Sequence, residues 1–515
     1  MFDDADDYLA AAVENEDAVG KHRAGDPLKS LRFARRAIEI YDEGLAKWPR
    51  NLDLAYNKAR LLLEIATHPM LARHLDVPVI DILRQSLSAH QYALNLDLDN
   101  ADALFNIAQV LTSIAEHIAK DDSVSDTEAL NCLEQALEYQ DRCLLLQEGK
   151  YSETRNIYQE AAGQNSAADG DDDDDGGAKV DPTSSSVYED RQQEEEEQWV
   201  SVVEPVTADT LVDTILSQLS TLTTLCSALN TAQDWRGAGF NGAMPSSPVS
   251  LSWIEGWSTK MHERLEVIAK TEDIAPRKPE IALTKAILAG NFLELAYRSG
   301  SVGMDIYKSE LEKAFTAQDL DPTTSDAQIA YARTLLALDG AATDCARSVP
   351  PKADIQDHAN IRWNVLSKAQ RLLTSAATLP STKADTQTLA TTHMLRGDTS
   401  LLLLALSYPP TSFIQAASNA TQLLKNAEVF YRNANKLFGA LGDGEDDRDV
   451  AAFRGGVVEI LQKTNGANAS LNSTQVDARD VLRSATRSRK DDWRDDQLQE
   501  MTDEGLVRPE IFGML

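Results

Sequence analysis

Along most of the chain apolar residues recur three and four apart, the spacing of one buried face on an α-helix. Leu28, Leu31, Ala34, Ala37, Ile38, Tyr41 and Leu45 form the first clear stripe. Asp26-Pro27 opens it with a capping side chain and a proline at the first helical position, and Trp48-Pro49 stops it. The pattern predicts further helices over 52–67, ended by His68-Pro69, and over about 81–96, 136–147 and 205–229. Trp253, Trp257, Met261 and Leu265 mark another helix, and Ile281, Ala282, Ala286, Ile287, Phe292 and Leu295 the next, opened by Lys278-Pro279. Later stretches at 360–379, 386–407, 411–441, 450–464 and about 478–501 complete an all-α expectation.

One phrase recurs. GLAKWPRNLDLAYNKARLL at 44–62 returns as ALNLDLDNADALFNIAQVL at 93–111. Leu45 matches Leu94, Asn51 Asn100, Asp53 Asp102, Tyr56 Phe105, Asn57 Asn106 and Ala59 Ala108. ALEYQDRCLLLQ at 136–147 repeats the helix before the turn, with Cys143 in the place of Gly44 and Ala93. LEKAFTAQDLDPTTSDAQIAYARTLLAL at 311–338 brings the phrase back, with Ala317, Pro322, Asp326, Ile329, Ala332 and Leu335 in register with Gly44, Pro49, Asp53, Tyr56, Ala59 and Leu62.

Small residues where helices touch, large ones where they interlock and a proline at the exit resemble the tetratricopeptide (TPR) repeat, over 37–62, 86–111 and 310–338. The resemblance implies a solenoid of helical hairpins with a groove for peptides or partner domains. The spacing departs from that family: Gly44 and Ala93 lie 49 residues apart and Ala93 and Cys143 lie 50, against about 34 in a standard repeat. The extra residues fall between the first and second helix of each unit.

By the same resemblance the second, fifth, sixth and ninth positions of each first helix face the groove. They hold Asp53, Tyr56, Asn57 and Arg60, then Asp102, Phe105, Asn106 and Gln109, then Asp326, Ile329 and Arg333. Aromatic, Asn and Arg side chains there suit an anchored partner segment. The Asp residues equally suit a helix N-terminus without any ligand, and Tyr56 and Phe105 equally suit packing between layers. Chaperone-binding family members grip the C-terminal carboxylate of heat-shock proteins with Lys and Asn at the fifth and ninth positions. Tyr56/Arg60, Phe105/Gln109 and Ile329/Arg333 stand there instead, so that carboxylate clamp is not expected.

Charge changes the picture most between 164 and 198, where QNSAADGDDDDDGGAKVDPTSSSVYEDRQQEEEEQ holds two acidic blocks and almost no apolar residue. It cannot bury enough surface to repay ordering, which predicts an acidic disordered insert able to attract a basic chain. This gives an acidic N-terminal segment at 1–27, elongated repeats at 28–163, the insert at 164–198, a second helical block at 199–464, and a polar break with a C-terminal capping helix at 465–515. The whole chain carries 49 Lys and Arg against 82 Asp and Glu, a net charge of −33, which disfavours direct nucleic-acid binding. Four cysteines without a CxxC pair predict a reducing compartment. The acidic N-terminus lacks the features of a secretory leader or transit peptide, and no apolar run suggests a membrane span, so a cytoplasmic or nuclear protein is expected. No HExxH, Walker A, nucleophile elbow or GxGxxG occurs, so no catalytic residue, metal or cofactor is expected. The function expected is a protein-binding adaptor or escort for a basic protein, such as a ribosomal protein or histone, with a constitutive scaffold subunit as the alternative.

Overall fold

The computed structural model describes residues 4–119, 126–167, 205–231, 250–348, 355–441, 445–465 and 471–508. Among them the chain is a row of α-helices with no strand: α1 (Ala5–His22), α2 (Pro27–Lys47), α3 (Leu52–Thr67), the one-turn α4 (Pro69–Ala72), α5 (Val79–Leu96), α6 (Ala101–Ile118) and α7 (Asp126–Ala167). After a gap follow α8 (Ala208–Thr231), α9 (Leu251–Thr271), α10 (Lys278–Arg298), α11 (Met304–Phe315), α12 (Ser325–Ser348) and α13 (Ile355–Ala376). The row ends with the short α14 (Pro380–Ala384), then α15 (Thr386–Ala405), α16 (Ile414–Ala440), α17 (Glu445–Asn465), α18 (Leu471–Ala485) and α19 (Asp491–Asp503).

Packing runs between sequence neighbours. The hairpins α1/α2, α3/α5, α6/α7, α8/α9, α10/α11, α12/α13, α15/α16 and α17/α18 stand side by side. In most of them the second helix also packs on the first helix of the next hairpin, as α2 does on α3, α5 on α6, α7 on α8 and α16 on α17. This is a quasi-one-dimensional solenoid, in which each unit buries its apolar face only against its neighbours. The region between 230 and 310 holds α9 and α10 and the start of α11.

The repeated phrase marks the tightest contacts. Gly44, Ala93 and Cys143, one in each of α2, α5 and α7, are all buried, and a side chain on Gly44 would meet Leu54 Cδ1 at 2.9 Å. Small residues there let the second helix close onto the next first helix. Asn51 and Asn100 cap α3 and α6, accepting bonds from the amides of Leu54 at 2.9 Å and Ala103 at 2.8 Å.

Three boundaries differ from the sequence pattern. The N-terminal acidic segment is not separate: α1 buries Tyr8, Ala12 and Val19 against α2 and makes the first hairpin. The predicted helix at 136–147 is part of α7, a helix of 42 residues. The predicted insert begins within it, because 164–167 are still helical, while 168–198 lie outside the described residues. The expected C-terminal helix at 478–501 is two helices, α18 and α19, and α18 already begins inside the expected polar break. Arg494 reaches back across the break, its Nε bonding Thr486 Oγ1 at 2.9 Å and a second guanidinium nitrogen the Thr486 carbonyl. No helix among the described residues is long and apolar enough to cross a membrane.

A stitch of three side chains appears near each end of the row. Tyr41 on α2 donates to Glu16 on α1 at 2.5 Å, and Arg60 on α3 pairs with the same Glu16. Tyr431 on α16 donates to Asp398 on α15 at 2.7 Å, and Arg454 on α17 binds that Asp398 at 2.7 Å. In both, one carboxylate of a first helix takes a tyrosine from its own hairpin and an arginine from the next.

Candidate functional site

The first helices α3, α6, α8, α10 and α12 touch in succession and form a continuous file. The predicted groove residues on α3 and α6 lie side by side on it. Asn106 Nδ2 donates to Tyr56 Oη at 3.1 Å across the two helices, and Tyr56 sits edge-on to His90 of α5 at 6.3 Å. Burial raises the Tyr56 phenol above its ordinary range and pushes the His90 imidazole down to about 4, so both are neutral at physiological pH. Asp53 and Asp102 are exposed in the first turns of their helices. Asn57 is turned along α3 to the Asp53 carbonyl at 2.9 Å. Phe105 is half-buried against the cluster of Leu94, Leu104 and Ala108. Arg60 is committed to Glu16 in the N-terminal stitch.

The third set stands apart. Asp326, Ile329 and Arg333 sit on α12, three helices beyond α6 along the file. Asp326 and Arg333 are exposed, but Ile329 is only 9% exposed. Its side chain packs in the core, because α12 is flanked by α10, α11 and α13 and buries most of its circumference.

Next to Gln109 the file opens into a slot of about 250 Å³. Thr67 of α3, Thr112 and Ser113 of α6, Gln140 of α7 and Ser217, Ser220 and Thr221 of α8 line it together with Gln109 and Leu63. No lining side chain is charged, in a chain of net charge −33. Gln140 is buried, and its Nε2 donates to Ser217 Oγ at 2.9 Å and Thr221 Oγ1 at 3.1 Å. Thr221 spends its own hydrogen on the Ser217 carbonyl at 3.0 Å, which fixes the amide face of Gln140 toward it. The opposite atom, Gln140 Oε1, is buried without a partner. The polar seam continues along α7 and α8, where Thr214 donates to Gln147 Oε1 at 2.7 Å. The sequence carried a signal for it: Thr214, Gln218 and Thr221 recur at helical spacing inside an otherwise apolar stripe.

A larger opening of about 800 Å³ separates α9 and α10. Its walls are mostly apolar, from Ile254 and Leu265 on α9 to Ile281, Ala286 and Phe292 on α10. His262 and Lys285 stand in it half-buried. Burial lowers both from their ordinary values, Lys285 also acting on His262.

Hairpins stacked in this order define an all-α helical-repeat protein. No family model matches the chain. A UPF0656 protein of Schizosaccharomyces pombe is 34% identical to it over 160 residues, which is 31% of this chain and 34% of that protein. The chain therefore matches about a third of that relative's length. A solved circular tandem repeat protein with novel repeat topology and enhanced subunit contact surfaces aligns over 97% of both chains at 12% identity, with a TM-score of 0.26. The helical-repeat assignment rests on the hairpin packing itself.

Proposed function

We propose that the protein is a non-enzymatic adaptor or escort that holds an extended segment of a basic protein along its first-helix file. The observation that carries this is the uncharged hydrogen-bonding strip from Tyr56 and Asn106 through Gln109 to Gln140, Ser217 and Thr221. Peptide backbone offers alternating neutral donors and acceptors, and neutral hydroxyls and carboxamides match them without the desolvation cost of charges. The chain carries a net charge of −33, and its densest acidic blocks in sequence, 171–175 and 194–197, suit electrostatic capture of a Lys- and Arg-rich partner. A client such as a ribosomal protein or histone, shielded until assembly, fits this division between capture and holding. Residence in cytoplasm or nucleus belongs to the same reading.

The test is affinity purification with the full chain and with residues 164–198 deleted, each at low and high salt. Enrichment of basic proteins that weakens with salt and with the deletion supports the escort. Enrichment indifferent to both, or no basic protein at all, defeats it. A stoichiometric complex unaffected by salt favours the scaffold-subunit alternative.

A further inference from the structure

We propose that the groove between α9 and α10 seats an amphipathic helix with an apolar stripe and predominantly basic flanks, contributed by the basic partner. The inference rests on the escort reading and adds a second, structurally distinct contact to it.

Shape comes first. The lining runs from Ile254 to Ala269 on α9 and from Lys278 to Phe292 on α10, with Ala314 at the end of α11 and Ala317 and Gln318 just beyond it also in the wall. Fifteen residues of helix span about 22 Å, so the groove has the length of a four-turn helix rather than of a single anchor side chain. The packing along it is of the kind a third helix completes. Ala269, Ala282 and Ala289 are small and leave the walls partly open to solvent, while Ile254, Leu265, Ile274 and Ile281 form apolar walls at their base. Small residues let a helix approach closely, and its side chains at every third and fourth position would interdigitate with those walls. The rest of the row shows what is missing: α8 packs directly on both α9 and α10, whereas α9 and α10 are held apart by the opening.

Charge selects the occupant. Glu255 and Glu266 on α9 and Asp319 beyond α11 line the groove, all exposed and none in an ion pair. Lys278 and Lys285 stand on the α10 wall, and burial and the nearby Lys285 hold His262 toward its neutral form against the bond of its Nδ1 to the Ser258 carbonyl at 2.6 Å. Three carboxylates against two lysines leave the lining one negative charge in excess, with Glu266 and Asp319 both acting on Lys285, and in a chain of net charge −33 this favours a basic helix. The apolar body supplies the affinity and the rim supplies the choice of partner.

The probe is a fluorescent 16-residue Leu-striped helix with Lys flanks, titrated onto the full chain by anisotropy. Controls are the same stripe with Glu flanks, a scrambled Lys peptide, and dodecanoate. Saturable one-to-one binding of the Lys-flanked helix alone is expected. Ala289→Phe, which fills the groove, should weaken it about tenfold or more, with circular dichroism confirming the fold. Two charge reversals keep the test independent of folding because they act in opposite directions: Glu266→Lys should weaken binding several-fold, and Lys285→Glu should strengthen it. Equal binding of the Glu-flanked peptide, indifference to all three substitutions, or binding of dodecanoate in place of the peptide overturns the proposal. If the Lys-flanked peptide does not bind while the natural chain captures basic proteins in a salt-dependent way, the groove falls and the escort stands. If the natural chain captures none while the peptide binds, the escort falls and the groove stands.

Discussion

The two stitches use the same three side-chain types at opposite ends of the row but sit in different surroundings. At the N-terminal end Arg60 is 41% exposed, so water shares the work of solvating the pair with Glu16. At the C-terminal end the Arg454 side chain is 7% exposed and also meets Glu504 at 2.9 Å, because α19 covers it. The open stitch is open only at its arginine: Glu16 keeps 11% of its side-chain surface, close to the 15% of Asp398, so the contrast lies in the guanidinium, whose charge water shares at one end. The closed one holds a guanidinium whose charge must be compensated inside the protein. The geometry differs too. Asp398 is one methylene shorter than Glu16, so the ring of Tyr431 lies against the α15 backbone at Gly397, where an added Cβ would sit 2.5 Å from Tyr431 Cε1. A shared motif therefore does not imply a shared energetic role.

Removing the carboxylates should separate the two ends most widely. Asp398→Asn leaves Arg454 undercompensated and should cost about 3 kcal/mol in chemical denaturation, by analogy with broken buried pairs. Equality with the N-terminal variant would erase the contrast. Gly397→Ala forces the Tyr431 ring away from its helix and should cost about 2 kcal/mol, which near-UV circular dichroism would register as altered tyrosine packing. Glu16→Gln should cost about 1 kcal/mol or less, and added salt should shrink that further.

The smallest effect is in pH. Burial, together with Asp398 and Glu500, pushes the Glu504 carboxyl up to about 7 against the pull of Arg454. A raised carboxyl favours the fold when protonated, so this contribution is complete below about 4.5. It fades as pH rises through 7. Since Glu504 keeps 43% of its side-chain surface, solvent moderates the effect. Melting temperatures of the natural chain and Glu504→Gln should diverge modestly between pH 5 and 8, the variant losing less. Parallel curves would show that α19 does not modulate the closed stitch.

Much of the row was legible because it is local. Ala37, Tyr41 and Gly44, and again Ala427, Tyr431 and Ala434, repeat a small–large–small spacing, and all six are buried. The stitches were not legible. Glu16, Tyr41 and Arg60 come from three helices, with Glu16 and Arg60 44 residues apart, and no periodicity joins them. Arg60 was expected in the groove, but its ion pair across the α1–α3 contact claims it. Ile329 occupies the position of Tyr56 in the repeated phrase, yet the surroundings of α12 turn that position inward. The break between α18 and α19 has no glycine or proline to announce it. Arg494 bridges it by binding Thr486, a contact that exists only once both segments are folded. The proposed strip was half visible: Tyr56, Asn106 and Gln109 stand among the residues expected to face the groove, whereas Gln140 and Ser217 required knowing that α7 and α8 pack beside α6.

The side-by-side order of the hairpins also bears on how the chain is born. Near the two ends of the row, bonds that tie one hairpin to the next connect residues 44, 50 and 56 positions apart, as in Glu16–Arg60, Tyr56–Asn106 and Asp398–Arg454, whereas Gln140–Ser217 and Asp141–Lys260 in the middle span 77 and 119. The units near the ends can therefore close as soon as their successor leaves the ribosome, while α7 must wait for the chain to pass the acidic stretch before α8 and α9 can join it.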